Sequence, residues 1–286
     1  MSGVLYLAWR HLLWHRWKSL LLIGAVTLVM YLPLGLQLVI QQTATDMTAR
    51  ADNTPLLLGR RGSPLELVLN SLYFSLDDPT PLHFADVDAL AEADGITPVP
   101  LYVRFDSQGA PIVGTDPEYF RFRGLSLAQG RMPAILGEAV LGAAAAETLG
   151  AGVGDHVISS PRSVFDIAGV YPLKMTVVGV LRRSYSQDDE AIFVDLKTAW
   201  IIEGIGHGHQ DLTEKAAAAA VLKNEADRIV ANASLVNYNE ITPENIDSFH
   251  FHGDTGDLPL TAILPVPADH KSGVLLLGRY QSSEQL

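Results

Sequence analysis

No cysteine occurs in the 286 residues, so neither a disulfide framework nor a thiolate metal site exists in this chain. Basic side chains are also scarce: 20 Lys+Arg face 32 Asp+Glu, for a net charge of −12. Phosphate backbones are bound through clustered Lys and Arg, and this balance excludes nucleic acid as a partner. Charged residues together make up 18 % of the chain, below the roughly 25 % of soluble proteins. The deficit is concentrated at the N-terminus, which is the pattern of a membrane segment. Catalytic signatures are missing too. Without a G-x-x-x-x-G-K-[ST] phosphate loop the chain should not hydrolyse nucleotide itself, and it has no G-x-S-x-G elbow and no H-E-x-x-H. The expectation is therefore a protein that is not an enzyme.

What is present begins with an apolar run. From Ser19 through Thr45 there is no charged residue, and Ser19 to Ile40 reads SLLLIGAVTLVMYLPLGLQLVI. About 20 helical residues span a bilayer's hydrocarbon core, so this stretch is long enough to cross. A secretory signal peptide is the competing interpretation, but its apolar region runs only about 7–15 residues and ends at small residues. Arg10, Arg16 and Lys18 precede the run without an acidic residue, whereas Asp46 and Asp52 follow it. This asymmetry keeps the N-terminus cytoplasmic and places the remainder outside the inner membrane. Pro33 is tolerable, because proline is more frequent in membrane helices than in soluble ones. Residues 1–18 carry VLYLAWRHLLWHRW, which mixes Leu, Trp and Tyr with Arg and His. That composition suits either a helix lying in the membrane interface or ordinary flanking anchorage.

Residues 46–286 alternate short apolar strands with helices under dense Gly/Pro punctuation, which predicts a mixed α+β domain with a sub-lobe around 115–215. Helices are expected near 63–74, 84–93, 142–149, 195–203 and 214–230, the last on the helix propensity of Ala216–Ala220. Strands are expected near 99–105, 111–114, 155–159, 174–182, 191–194, 233–238, 248–252 and 259–266, with a short one near 56–59. No second run of about 18 apolar residues occurs, so one crossing is expected.

An ordered series of short motifs lies between Ile112 and His209: D-P-x-Y-F at 116–120, L-x-x-G-R at 127–131, G-E-x-V-L-G at 137–142, L-G-x-x-V-G-D at 149–155 and V-V-G-V-L at 177–181. With the anchor helix ahead of it, the series resembles the periplasmic core domain of MacB/FtsX-like ABC transporter permeases. The resemblance implies a permease subunit whose outer domain works with a separate ABC ATPase, with membrane lipid, and with other permease or periplasmic subunits, a homodimer included. Members of that family carry three more membrane helices after the outer domain, so either the sequence is a fragment of a longer permease, which is the expectation, or those helices reside on another chain. The motifs also have local explanations. Gly150, Gly152 and Gly154 follow a predicted helix and precede a strand, the reverse of a dinucleotide-binding loop, and are read as helix stop and turn. Gly179 between valines reads as a bulge or a close backbone approach.

Two H-x-H pairs are the candidate site: His207 with His209 in EGIGHGHQD, and His250 with His252 in DSFHFHGD. On a strand, residues i and i+2 face one side, so each pair offers two imidazoles together. If the pairs meet, four imidazoles form a tetrahedral zinc site, with Asp211 or Asp254 as a ligand or as the carboxylate that orients a histidine. The opposing interpretation puts His207 and His209 on a Gly-rich loop and His250 and His252 on a half-buried strand, with no metal. The segment ITPENIDSFHFHGD also looks like a subgroup of these permeases associated with zinc acquisition. The substrate is expected to be a lipophilic solute, a lipoprotein or zinc. The alternatives are a single-pass anchored metal-binding or sensor protein and a membrane-tethered hydrolase.

Overall fold

A computed structural model describes residues 2–76, 79–160, 172–208, 221–225, 228–231, 239–251 and 253–281. The chain divides into two units, Met1–Asn53 and Thr54–Leu286. The first holds helices α1 (Ser2–Trp14) and α2 (Arg16–Asp52), separated at His15, whose φ of −100° and ψ of 38° leave the helical region. Hydrogen bonding carries across the break, since His15 N–H donates to His11 O at 3.1 Å and the Ser19 hydroxyl donates to Leu12 O at 3.1 Å. Among the described residues, α2 is the one helix long and apolar enough to cross a membrane. Its 37 residues rise about 55 Å at ~1.5 Å each, against a hydrocarbon core of about 30 Å. Leu21, Val29 and Tyr31 remain 75 %, 72 % and 71 % exposed. An apolar surface of this extent is suited to lipid rather than water.

The second unit is built on an eight-stranded mixed sheet. Its elements are α3 (Pro64–Tyr73), β1 (Leu82–His83), α4 (Ala85–Ala91), β2 (Ile96–Ser107), β3 (Ala110–Thr115), α5 (Pro117–Arg123), β4 (Leu127–Gly130), β5 (Glu138–Leu141), α6 (Ala143–Leu149) and β6 (His156–Ile158). They continue with β7 (Lys174–Leu181), β8 (Ile192–Asp195), α7 (Leu196–Glu203), β9 (Gly206–Gly208), β10 (Val221–Glu225), β11 (Arg228–Ala231), β12 (Phe249–Phe251), β13 (Pro259–Leu260), β14 (Ala262–Pro267) and α8 (His270–Gln281). The sheet order is β14-β2-β3-β8-β5-β7-β4, with β6 beside β7. The β3–β8 and β5–β7 pairs are parallel and the other ladders antiparallel.

Both faces of this sheet are covered, which follows from the alternation along its strands. Ile112, Ala139, Leu141, Ile192 and Val194 enter one core with Ala199, Trp200 and Ile201 of α7. Their neighbours Val113, Val140 and Phe193 enter the other with Leu72 of α3 and Tyr119 and Phe120 of α5. Two bulges reverse the alternation. The register shifts at Arg104 in β2, so that Val103 and Phe105 face opposite cores. It shifts again where β7 passes β5, beside Gly179, and there a Cβ would overlap the Arg131 carbonyl. Gly179 therefore combines a bulge with a close approach, as its position between valines predicts.

The motif residues have structural tasks. Asp116 caps α5 by accepting from Glu118 N–H at 3.0 Å and Tyr119 N–H at 3.4 Å, Pro117 takes the first helical turn, and Tyr119 and Phe120 are buried. Gly150 closes α6 with φ of 61° before β6, the helix stop expected from its sequence order. The expected helix over 214–230 is corrected where the residues are described: Val221–Glu225 and Arg228–Ala231 pair as an antiparallel hairpin with Glu225 opposite Arg228. The β-branched Val221, Ile229 and Val230 in the two strands outweigh the propensity of the preceding alanines. Residues 214–220 and the expected strand at 233–238 lie outside the described residues.

Candidate functional site

The two H-x-H segments meet. β9 and β12 pair antiparallel with His207 directly opposite His250, Phe249 opposite Gly208 and Phe251 opposite Gly206. The two imidazole rings lie 4.8 Å apart between centroids, at 64°. Both residues are half-buried. His209, His252 and Asp211 lie outside the described residues. Asp254 is exposed and caps a short 3-10 turn through Gly256 N–H at 2.9 Å. Among the described residues, no group of three or more His, Asp or Glu side chains gathers in a metal-holding arrangement.

The register of this two-stranded ladder is fixed by its opposite face. A Cβ on Gly206 would come within 2.6 Å of the Phe251 ring, and one on Gly208 within 2.6 Å of the Phe249 ring. Gly206 and Gly208 of E-G-I-G-H-G-H are thus slots for the two phenylalanines. Phe251 packs edge-on to Trp200 at 6.4 Å, and Trp200 packs on Phe84 at 5.7 Å while donating from Nε1 to Pro259 O at 2.8 Å. A slip by one residue would drive the histidines into these slots and expel the phenylalanines from the core. His250 is further oriented by a 3.1 Å contact between Nδ1 and Ser248 O. A carbonyl accepts only, so the proton sits on Nδ1 and the lone pair on Nε2.

A second polar cluster was not singled out in the sequence. Tyr102 Oη donates to Glu203 Oε2 at 2.8 Å, and Arg104 Nη1 lies 3.5 Å from Glu203 Oε1. Burial, reinforced by the Glu203 carboxylate, pushes the Tyr102 phenol above its ordinary range. The cluster sits at the β2 bulge and the C-terminal end of α7, positions that no local motif marks. Burial also pushes the Asp116 carboxyl up to about 6 against the pull of its two capping N–H groups, with Glu118 and Asp195 adding to the rise. Glu138 goes the other way: burial is outweighed by the Arg131 guanidinium and by the N–H groups of Ala134 and Ile135. The solitary histidines serve local contacts, His83 through Asp257 O at 3.2 Å and His156 beside Glu240 at 3.7 Å.

A family model described as the MacB-like periplasmic core domain matches residues 21–238. No curated protein matches the chain. Among solved structures, the periplasmic region of MacB from Actinobacillus actinomycetemcomitans aligns at 20 % identity and a TM-score of 0.33, covering 41 % of this chain and 56 % of that one. The extracellular domain of the noncanonic ABC-type transporter YknZ from Gram-positive bacteria aligns at 12 % identity and a TM-score of 0.42, covering 80 % of this chain and 96 % of that one. This chain therefore spans little more than half the length of the first of the two structures.

Proposed function

The chain belongs to the MacB-like periplasmic core domain family, and on that premise we propose that it is the membrane-anchored extracytoplasmic part of an ABC transporter permease. One observation carries this reading: the family match starts inside α2 at residue 21 and runs through the sheet to residue 238. In this reading α2 sits in the bacterial inner membrane with lipid around its apolar surface. Arg10, Arg16 and Lys18 hold the N-terminus in the cytoplasm.

A separate ABC ATPase supplies the energy, since the chain carries no phosphate loop of its own. Other permease or periplasmic subunits, or a second copy of the chain, complete the complex. The outer domain passes on motion as a rigid body, because a sheet packed on both faces resists deformation. The transported substrate is a lipophilic solute, a lipoprotein or zinc. A second reading, an anchored extracytoplasmic metal-binding or sensor protein, is favoured by one observation only, the juxtaposition of His207 and His250.

Purification of the full-length protein from its native membranes in mild detergent distinguishes the two. Recovery of a nucleotide-hydrolysing subunit in stoichiometric amount is the expected result. Recovery without such a subunit, and without ATPase activity in the purified complex, refutes the permease reading.

A further inference from the structure

We propose that His207 and His250 form the imidazole half of a binding site for a divalent transition-metal ion, with zinc the cation that suits them. The ladder between β9 and β12 supplies the first reason, because it sets the two rings side by side at 4.8 Å. With metal–nitrogen bonds of roughly 2.0–2.1 Å, two imidazoles on one ion have ring centres about 4.5 Å apart at a right-angled chelate and about 5.2 Å apart at a tetrahedral one. The observed spacing falls between these limits, so closing on an ion asks for side-chain adjustment and no movement of the strands.

Tautomer and register supply the second and third reasons. Ser248 O holds the proton of His250 on Nδ1, which puts the ligating lone pair on Nε2 in the way that a carbonyl partner orients metal-binding histidines. The phenylalanines seated on Gly206 and Gly208 forbid a slip that would separate the rings. Two imidazoles directly opposite repel each other once protonated, whereas Val or Thr at the same positions would serve a strand pair better. Neutral imidazole is a borderline donor matched to zinc, and a chain of net charge −12 draws cations toward it. Water can fill further coordination positions.

The site does not depend on the transport reading, since metal binding is measured without an ATPase. Full-length chain in detergent, stripped of metal, is titrated calorimetrically with Zn²⁺ alone. The expected result at pH 7.5 is about one ion per chain. The double variant His207→Gln/His250→Gln is expected to weaken binding at least tenfold, while His83→Gln and His156→Gln leave it unchanged. Unaltered affinity in the double variant overturns the site. Should that variant misfold by circular dichroism, pulsed electron paramagnetic resonance of Cu²⁺ on the unmodified chain decides. Two coupled imidazole nitrogens are expected, and one or none overturns the proposal. Failure to bind Zn²⁺ in a chain that still co-purifies with an ATPase overturns the site and leaves the permease reading standing.

Discussion

Replacing Asp116 by Asn should make the protein more stable at pH 8 and flatten its stability profile between pH 4 and pH 6. Asn keeps the oxygen that accepts from Glu118 and Tyr119 N–H, and the two residues cap helices about equally well. What the substitution removes is a charge held against its preference, since burial raises the Asp116 carboxyl from 3.8 to about 6. A carboxyl raised on folding favours the folded state most below its unfolded value, and that advantage is lost as pH climbs through about 6. Each unit is worth about 1.36 kcal/mol, for an upper figure of roughly 3 kcal/mol. The side chain is only partly covered, and solvent screening reduces this to roughly 1–2 kcal/mol. For a domain of this size that is about 3–6 °C in melting temperature. Melting curves of the full-length protein and of Asp116→Asn in detergent at pH 4, 6 and 8 measure it. Identical pH profiles, or a variant less stable at pH 8, would refute the assignment of a strained charge.

Two further substitutions probe the packing that holds the motifs. Gly142→Ala places a Cβ against the backbone carbonyls of Asp188 and Asp189. Neither carbonyl is a flexible side-chain end, so a loss of at least about 2 kcal/mol is expected in chemical denaturation, and a neutral effect would contradict the close approach. Tyr119→Phe removes the hydroxyl that donates to the buried Asp188 at 2.5 Å. The expected cost is about 1–3 kcal/mol, read as a lower melting temperature, and an unchanged one would show that this hydrogen bond contributes nothing net.

Local chemistry made much of this fold legible. Asp116-Pro117 announces a capped helix start, Gly150 a helix stop and Gly179 a bulge, because each is dictated by backbone sterics within a few residues. The apolar run before Thr45 likewise needs no tertiary information, although α2 continues to Asp52, well past the stretch that composition marks. The hairpin at Val221–Ala231 was hidden by adjacent alanines, whose propensity is a weak force beside strand pairing. At the candidate site the H-x-H spacing marks both segments as strand candidates, and His207 and His250 do lie on paired strands. Only the ladder shows that His207 faces His250, since register is set by Phe249 and Phe251 in distant glycine slots. The Tyr102–Arg104–Glu203 cluster escaped for the same reason: it joins β2 to the end of α7, about a hundred residues on, with no motif at either place.

The absence of cysteine permits a direct test of the central claim, that α2 is embedded in lipid and the domain after it is outside the cytoplasm. Tyr185, 89 % exposed, and Gly3, in α1, are replaced one at a time by Cys, and sealed spheroplasts are treated with a membrane-impermeant maleimide. Tyr185→Cys should label at once and Gly3→Cys only after lysis, both in the membrane fraction. The reverse pattern, or a labelled chain beginning near residue 46 and free in the soluble fraction, would contradict the account.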